Sequence, residues 1–307
     1  MTVYLNSIKE SWVVDRLRDE WYENNPDIST EKIKKSDTVW IITPWQWKNV
    51  KSKHLINKKV LCSMYHIDFI KFTKDDEKDF YNRDQFVSEY HVISQKTEEQ
   101  VKQLTDKKIT TIPFWINQKI FFEIQDKNKI REKHRLSKDK FYIGSFQRDT
   151  EGSDLKSPKL IKGPDRFIEI VSSKFSENKK TEIILTGKRR QYVINELEKL
   201  SIPYKYFEMV DFKTLNELYN ILDLYIVSSR LEGGPQAIVE CGLTRTPIIS
   251  TDVGIANEIL SPSSIFNMNN YNSARPDIDY SYKKSNLLTI PKGFERFQKL
   301  LKDINES

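Results

Sequence analysis

Short apolar runs alternate with longer amphipathic stretches along the whole chain. In the first half, five runs rich in Val, Ile, Tyr or Phe predict strands at 3–6, 38–43, 59–65, 90–94 and 110–114. In the second half, five more runs predict strands at 142–146, 182–186, 204–207, 224–228 and 247–250. Helical patterns fall between them, near 164–176, 190–200, 214–222 and 235–243. Strand–helix alternation on this scale predicts parallel sheets with helices on both faces.

Glycine and tryptophan are distributed unevenly, which indicates two different halves. All nine glycines lie from Gly144 onward, and all six tryptophans lie before Phe121. Because 307 residues suit about two domains, we predict an α/β protein with two doubly wound, parallel-sheet domains facing a cleft. The predicted domains are 1–135 and 136–292; a final helix, 293–305, could pack back on the first. Residues 261–290 are predicted to form a long loop.

Composition excludes several classes of protein. Aromatic residues make up 12% of the chain, which argues against disorder. No apolar run reaches the ~20 residues that span a bilayer, and Met1 leads into a predicted strand without a secretory signal. Cys62 and Cys241 are too few for a disulfide framework or a four-thiolate zinc site. We therefore expect a cytoplasmic protein.

Charge identifies one dense basic stretch but no nucleic-acid-binding module. The net charge is +6, and the stretch contains Lys127, Lys129, Arg131, Lys133, Arg135, Lys138 and Lys140. Nucleic-acid binding would call for alternating basic and aromatic residues with a module signature, which the sequence lacks. Two interpretations stay open: a solvated linker helix at the domain junction, or peripheral contact with anionic lipid at the inner face of the membrane.

The richest chemical signal runs from 228 to 254. A buried strand is followed by Glu232, Gly233, Gly234 and Pro235, and then by a helix that carries Glu240. Glycine lets backbone amides approach a ligand closely, and a helix N-terminus favours negative charge. A separation of eight residues covers about 12 Å in a helix. The two carboxylates could therefore hold two polyol ends of one extended ligand whose phosphates bind the loop.

This stretch resembles the glycosyltransferase group 1 family. The residues that carry the resemblance are Ser228, Ser229, Glu232, Gly233, Gly234, Glu240, Pro247, Ile248, Ile249, Ser250, Thr251, Val253 and Gly254. Upstream, GSFQRDTEG at 144–152 and SPKLIKGPDRFIEIV at 157–171 resemble the opening of the family's C-terminal domain. The resemblance is strong over roughly 140–260 and architectural in the first half.

The resemblance implies the GT-B fold, two Rossmann-like domains that face a central cleft. It also implies a retaining, metal-independent glycosyltransferase of polysaccharide biosynthesis, which moves a sugar from a nucleotide diphosphate-sugar to a hydroxyl of a glycan or lipid-linked acceptor. No cofactor is implied beyond the donor. Glu232 would contact the transferred sugar, Gly233 and Gly234 would contact the diphosphate or sugar, and Glu240 would hold the ribose. Pro235 belongs to the same donor loop.

Further candidates come from the resemblance at other strand ends. Lys162 and Arg148 would neutralise the departing diphosphate, although Lys162 also suits a helix start and Arg148 a surface loop, three residues beyond the family's usual arginine position. His66 would contact the donor sugar or the acceptor, with a hydrogen-bonded structural histidine as the alternative. The loop after the first strand has no glycine, and Ser7 and Lys9 could approach anionic oxygens there.

The remaining candidates for donor binding are Gly144 and Ser145 at one strand end, and Gly187 and Lys188 at the next. The second pair could border the nucleotide or form an exposed turn. The histidines at 54, 66, 91 and 134 show no metal-ligand spacing, so we expect no metal. A nucleotide-sugar epimerase, a phosphorylase and a catalytically silent nucleotide-sugar-binding protein are the alternatives to a transferase.

Overall fold

The computed structural model describes residues 1–6 and 13–307. They form two compact units, Met1–Trp115 with Ile290–Ser307, and Ile116–Thr289. The first unit thus ends about twenty residues before the boundary expected at 135, and the chain returns to it at Ile290.

The first unit contains a sheet of five parallel strands in the order β1-β2-β3-β4-β5. The strands are β1 Val3–Leu5, β2 Thr38–Ile41, β3 Lys59–Met64, β4 Glu89–Val92 and β5 Ile109–Thr111. In the described part of residues 1–115, the strands are accompanied by α1 Val13–Asn24, α2 Ser52–Ile56, α3 Lys74–Asp84 and α4 Gln95–Val101. Strands β2 and β4 are buried along their full length, as expected for parallel strands covered on both faces.

The second unit contains six parallel strands in the order β11-β10-β9-β6-β7-β8. The strands are β6 Phe141–Ser145, β7 Thr181–Thr186, β8 Tyr204–Phe207, β9 Leu224–Val227, β10 Ile248–Thr251 and β11 Ile265–Phe266. The helices are α5 Lys127–Lys133, α6 Pro164–Glu177, α7 Gln191–Lys199, α8 Phe212–Ile221, α9 Gln236–Thr244, α10 Ala256–Ile259 and α11 Ile278–Asn286. The prediction of an α/β protein with two parallel sheets is confirmed.

The last helix, α12 Lys292–Glu306, completes the core of the first unit. Phe297 stacks on Trp40 with ring centroids 5.2 Å apart, and Phe294 lies 4.6 Å from Trp115. Trp21 meets Trp40 edge to face at 5.2 Å. Because large aromatic rings dominate core energetics, residues from the C-terminus are an integral part of the first unit.

Several basic side chains of the 127–140 stretch form hydrogen bonds and ion pairs inside the second unit, so the stretch is not simply a solvated linker helix. Arg131 is buried and donates to the Ile221 carbonyl at 2.7 Å and to Asp223 at 2.6 Å. Lys127 also binds Asp223, at 2.8 Å, and Lys133 binds Glu217 at 2.6 Å. These bonds fix α5 to the C-terminal end of α8, which explains why this segment belongs to the second unit.

The prediction of a long loop at 261–290 is wrong, because this segment contains β11 and α11. Helix α11 packs closely on α9, where a Cβ on Gly242 would lie 2.0 Å from the Ser285 hydroxyl. The sequence here lacks an apolar stripe since the contact is made by small residues, Gly242, Ser281 and Ser285.

Candidate functional site

The predicted donor motifs meet at one edge of the second sheet. Strands β6 and β9 are neighbours in the sheet, although β7 and β8 come between them in the sequence. The strand order therefore reverses between β6 and β9, and open α/β sheets bind ligands at the carboxyl ends of the strands at such a point. The loops that follow Ser145 and Val227 begin there.

An ion pair between Lys162 and Glu232 forms the centre of this edge. Lys162 Nζ lies 2.5 Å from Glu232 Oε1, and their side chains are 25% and 10% exposed. The Ser229 hydroxyl donates to the same carboxylate oxygen at 3.0 Å. Two predicted residues that are 70 positions apart in sequence thus come into contact, on the loops before α6 and after β9.

Gly163 permits the close approach that this ion pair requires. Its backbone is left-handed, with φ of +62°, and a Cβ would lie 1.9 Å from the Ser228 carbonyl oxygen. The Ser228 hydroxyl donates to the Gly163 carbonyl at 2.8 Å. Gln147 closes the arrangement by donating to the Lys162 carbonyl at 2.8 Å. The turn that carries Lys162 is therefore held directly against the end of β9.

The glycine loop after Glu232 leads into α9. Gly233 is buried, Gly234 is partly exposed, and Pro235 occupies the cap position immediately before the helix. Gly254, with φ of +50°, approaches this loop so closely that a Cβ would lie 2.3 Å from the Gly233 carbonyl oxygen. The loop is thus packed against the segment after β10, while the N-terminus of the nine-residue helix α9 adds partial positive charge.

Glu240 is buried on α9, and a tyrosine holds its carboxylate. The Tyr219 hydroxyl of α8 donates to Glu240 Oε2 at 2.7 Å. Burial raises the pKa of Tyr219 well above its ordinary value, and the charge of Glu240 adds to this shift. Tyr219 therefore stays protonated and remains the donor.

Lys162, Lys159 and Arg148 form a cluster of three cations, and the first two interact with Glu232. Arg148 is exposed, and its Nε donates to the Thr150 carbonyl at 2.8 Å. Lys159 is partly buried; burial lowers its pKa, and the nearby positive charges of Lys162 and Arg148 add to that lowering. Such a concentration of like charge is suited to a polyanionic ligand.

The loop that carries Arg148 is anchored by a buried ion pair. Arg190 Nε lies 2.7 Å from Asp149 Oδ2, and Arg190 also donates to the carbonyls of Ser145 and Thr186. Ser145 and Thr186 are the last residues of β6 and β7, so Arg190 connects the ends of both strands to the start of α7.

The other predicted residues of this unit have mixed surroundings. Gly144 is buried against the core, where a Cβ would lie 2.3 Å from Leu222 Cδ1. Gly187 is left-handed, with φ of +89°, and its carbonyl accepts a hydrogen bond from Tyr206 at 2.9 Å. Lys188 is exposed beside it. A side chain at position 144 would displace the Leu222 side chain in the core, whereas Gly187 and Lys188 form a turn after the carboxyl end of β7.

His66 belongs to the first unit, where it is exposed two residues after β3. The buried histidine of this unit is His91, whose ring contacts the Ser63 hydroxyl at 2.8 Å and the Ile112 carbonyl at 2.7 Å. Ser7 and Lys9 lie outside the described residues.

Three residues beside the site were missed by sequence reasoning: Gln147, Lys159 and Tyr219. Lys159 had a usable signal, its spacing of three residues from Lys162: Lys159 caps a 3₁₀ turn that ends at Lys162, and side chains three positions apart lie on one face of such a turn. Nothing in the sequence indicates that Gln147 or Tyr219 faces the site.

Within residues 1–6 and 13–307, no group of three or more His, Cys, Asp or Glu side chains is arranged to hold a metal ion. In that same part of the chain, no helix has the length and apolar character needed to cross a membrane.

Solved structures share this architecture. An Anabaena protein, Alr3699/HepE, whose structure contains UDP, superposes with a TM-score of 0.77 at 13% identity and covers 99% of this chain and 100% of its own. Sucrose-phosphate synthase from Thermosynechococcus elongatus gives 0.71 at 13% identity, covering 97% of this chain and 80% of its own. TarM gives a TM-score of 0.63 at 14% identity, covering 88% of this chain and 55% of its own. At such identities the likeness establishes the fold, which is GT-B.

No curated protein matches the sequence. The family model for group 1 glycosyl transferases matches residues 126–289, which is more than half of the 307 residues and includes both sequence motifs and the Lys162–Glu232 pair. The chain belongs to the group 1 glycosyltransferases.

Proposed function

We propose that this glycosyltransferase moves a sugar from a nucleotide diphosphate-sugar to a hydroxyl of a glycan or lipid-linked acceptor, with retention of configuration and without a metal ion. The observation that carries the proposal is the Lys162–Glu232 pair, 2.5 Å apart, at the carboxyl end of β9. It joins the two family motifs into one site that combines cations, a carboxylate and a helix N-terminus.

The role that we propose for each residue is the one that the family resemblance implies, and its place in this site supports that role. Glu232 accepts hydrogen bonds from the sugar hydroxyls, and the amides of Gly233 and Gly234 contact the diphosphate. Glu240, buried further along α9, binds the ribose hydroxyls. Lys162 and Arg148 bind the diphosphate, and Lys159 adds a third positive charge to the same cluster.

In the reaction, the bond between the anomeric carbon and the diphosphate oxygen breaks as the acceptor oxygen bonds to that carbon on the same face. The departing phosphate receives the acceptor proton. Negative charge grows on the leaving group, so pre-placed cations lower the barrier. Lys162 would exchange its bond to Glu232 for the phosphate, which frees that carboxylate for the sugar.

The first test replaces Lys162 and Glu232 by alanine, one at a time. Because charge stabilisation of this kind contributes about 10²–10³ to kcat, we expect each variant to lose at least about a hundredfold in transfer. Lys156→Ala and Glu177→Ala, which remove exposed charges, are the matched controls and should retain activity. Full transfer by both site variants with the true donor would refute the proposal.

The donor is found by measuring thermal stabilisation with a panel of nucleotide diphosphate-sugars, since a ligand of the folded state raises Tm by mass action. Incubation of that donor without acceptor then tests the alternatives. An epimerase converts the donor alone, a phosphorylase requires free phosphate, and a silent binding protein shows stabilisation without turnover. For His66→Ala, donor binding is measured without acceptor, and transfer is measured with acceptor. A loss of donor binding would place His66 beside the donor sugar, and a loss of transfer alone would place it beside the acceptor.

The acceptor and the location of the protein are further parts of this proposal. TarM has been crystallised with α-GlcNAc-glycerol and UDP, which supports a glycan-type acceptor for a protein of this fold. A cytoplasmic location with peripheral contact to the membrane remains our proposal, and Lys129, Lys133, Arg135 and Lys138 are the exposed basic residues of the 127–140 stretch. Flotation of the protein with vesicles that contain anionic lipid tests that contact.

A further inference from the structure

A buried hydroxyl network surrounds Glu240 and links it to α8. The Tyr219 hydroxyl donates to Glu240 Oε2 at 2.7 Å. At the other end of the same residue, the Thr246 hydroxyl donates to the Tyr219 carbonyl at 2.9 Å. Thr244 bonds both to Thr246, at 2.7 Å, and to the Glu240 carbonyl, at 2.9 Å. The side chain and the main chain of Glu240 are therefore both tied to Tyr219.

The ring of Tyr219 is itself fixed by aromatic neighbours. Its centroid lies 4.9 Å from Phe146 and 5.5 Å from Tyr225. Phe146 directly precedes Gln147 and Arg148 in the loop after β6, and its backbone amide donates to the Tyr225 hydroxyl at 2.9 Å. Tyr219 thus lies between the loop that carries Arg148 and the helix that carries Glu240.

We propose that Tyr219 is a positioning residue for the donor nucleotide, which acts by orienting the Glu240 carboxylate toward the ribose hydroxyls. This inference rests on the proposed function, in which Glu240 holds the ribose. A carboxylate rotates about its terminal carbon–carbon bond, and a hydrogen bond to Oε2 from a rigidly packed ring fixes that rotation. Both carboxylate oxygens are then set before the nucleotide arrives, which lowers the entropic cost of binding.

The test compares nucleotides with and without the ribose hydroxyls. Binding of UDP and of 2′,3′-dideoxy-UDP is measured by calorimetry, with the matching adenosine and guanosine pairs included because the base is unknown. The proteins are wild type, Tyr219→Phe, Tyr225→Phe and Glu240→Gln. Tyr219→Phe retains the ring and removes the hydroxyl, and Tyr225→Phe removes a buried hydroxyl from the same aromatic cluster that bonds to Phe146 instead of Glu240.

We expect wild type to prefer the ribose form and Tyr219→Phe to lose about tenfold in affinity for it, the value of a hydrogen bond to a charged group. Its affinity for the dideoxy form should be unchanged, and Tyr225→Phe should keep the wild-type preference. Equal losses for both nucleotides, or no loss for either, would show that Tyr219 is merely structural and overturn the inference.

Failure of the proposed function gives a different result. If wild type binds ribose and dideoxy forms equally, or if Glu240→Gln retains the preference, then Glu240 does not hold the ribose and the role proposed for it is wrong. If none of the three nucleoside diphosphates binds, the donor site itself is refuted. The inference alone fails when Glu240→Gln removes the preference and Tyr219→Phe does not.

Discussion

Gly163 shows how one residue without a side chain allows two motifs to form one site. The αL backbone at this position and the 1.9 Å approach to the Ser228 carbonyl oxygen both exclude a Cβ. The next residue on the N-terminal side is Lys162, whose ammonium reaches Glu232. The glycine therefore matters for catalysis through the position of its neighbour.

We predict that Gly163→Ala destabilises the protein by clearly more than the roughly 1–2 kcal/mol that the left-handed conformation alone costs, because a rigid carbonyl occupies the space. Urea unfolding measures the difference. Gly152→Ala is the control: it has φ of +75°, but its Cβ would meet only the Asp154 side chain, at 3.3 Å. Similar losses in the two variants would contradict the steric argument.

Strands and helices whose residues face a common core are the ones that the sequence predicted well. The expected helix at 235–243 corresponds to α9 Gln236–Thr244, and the expected strand at 182–186 corresponds to β7 Thr181–Thr186. Helix α11 was missed since its fully buried residues, Ser281 and Ser285, are serines, which show no hydrophobic period. Local periodicity thus finds an element when apolar side chains hold it, and misses it when close backbone packing does.

A line of hydrogen bonds crosses three strands of the first sheet. Trp40 of β2 donates to the Ser63 hydroxyl of β3 at 2.8 Å, and Ser63 contacts His91 of β4, also at 2.8 Å. The other nitrogen of His91 donates to the Ile112 carbonyl at 2.7 Å. Burial lowers the pKa of His91 from 6.5 to about 4, against the opposite effect of the bond to Ile112.

We predict from this shift that the first unit loses stability as the pH falls from 6.5 toward 4. In that window the unfolded chain binds a proton on His91 and the folded chain does not, so the free energy of unfolding falls by up to about 1.4 kcal/mol per pH unit. Urea unfolding at several pH values should show a shallower slope for His91→Gln. The control is His54→Gln: His54 is only partly buried, and its pKa is lowered less than that of His91, so this variant should change the slope less than His91→Gln does. An unchanged slope in His91→Gln would contradict the prediction.

At the scale of the whole molecule, the chain leaves the first unit after Trp115 and returns at Ile290 to complete its core. All six tryptophans belong to residues 1–115, so intrinsic tryptophan fluorescence reports on the first unit alone. The second unit holds every predicted donor-site residue except His66, Ser7 and Lys9. Tryptophan fluorescence therefore measures the unfolding of the first unit separately from changes in the second unit.

We predict that Phe297→Ala lowers the stability followed by tryptophan fluorescence by about 3–5 kcal/mol, because it deletes a ring from the centre of the aromatic core. Phe297 is fully buried and stacks on Trp40 and Phe114. Phe122→Ala is the matched control, since that ring is exposed in the second unit. Equal effects of the two substitutions on the fluorescence transition would refute a core role for α12.

The sequence by itself determined the alternation of strands and helices and the two parallel sheets, because hydrophobic period and turn chemistry are local properties. It also indicated the family and the residues of the glycine loop, because the motifs at 144–171 and 228–254 resemble those of that family. The tertiary structure alone decided which of these residues meet. Lys162 reaches Glu232 because β9 returns beside β6 in the sheet, and Tyr219 reaches Glu240 because α8 packs against α9. That strand order depends on how helices cover the two faces, which no local pattern records. The return of α12 to the first unit has the same origin, since an apolar helix face does not specify which sheet will bury it.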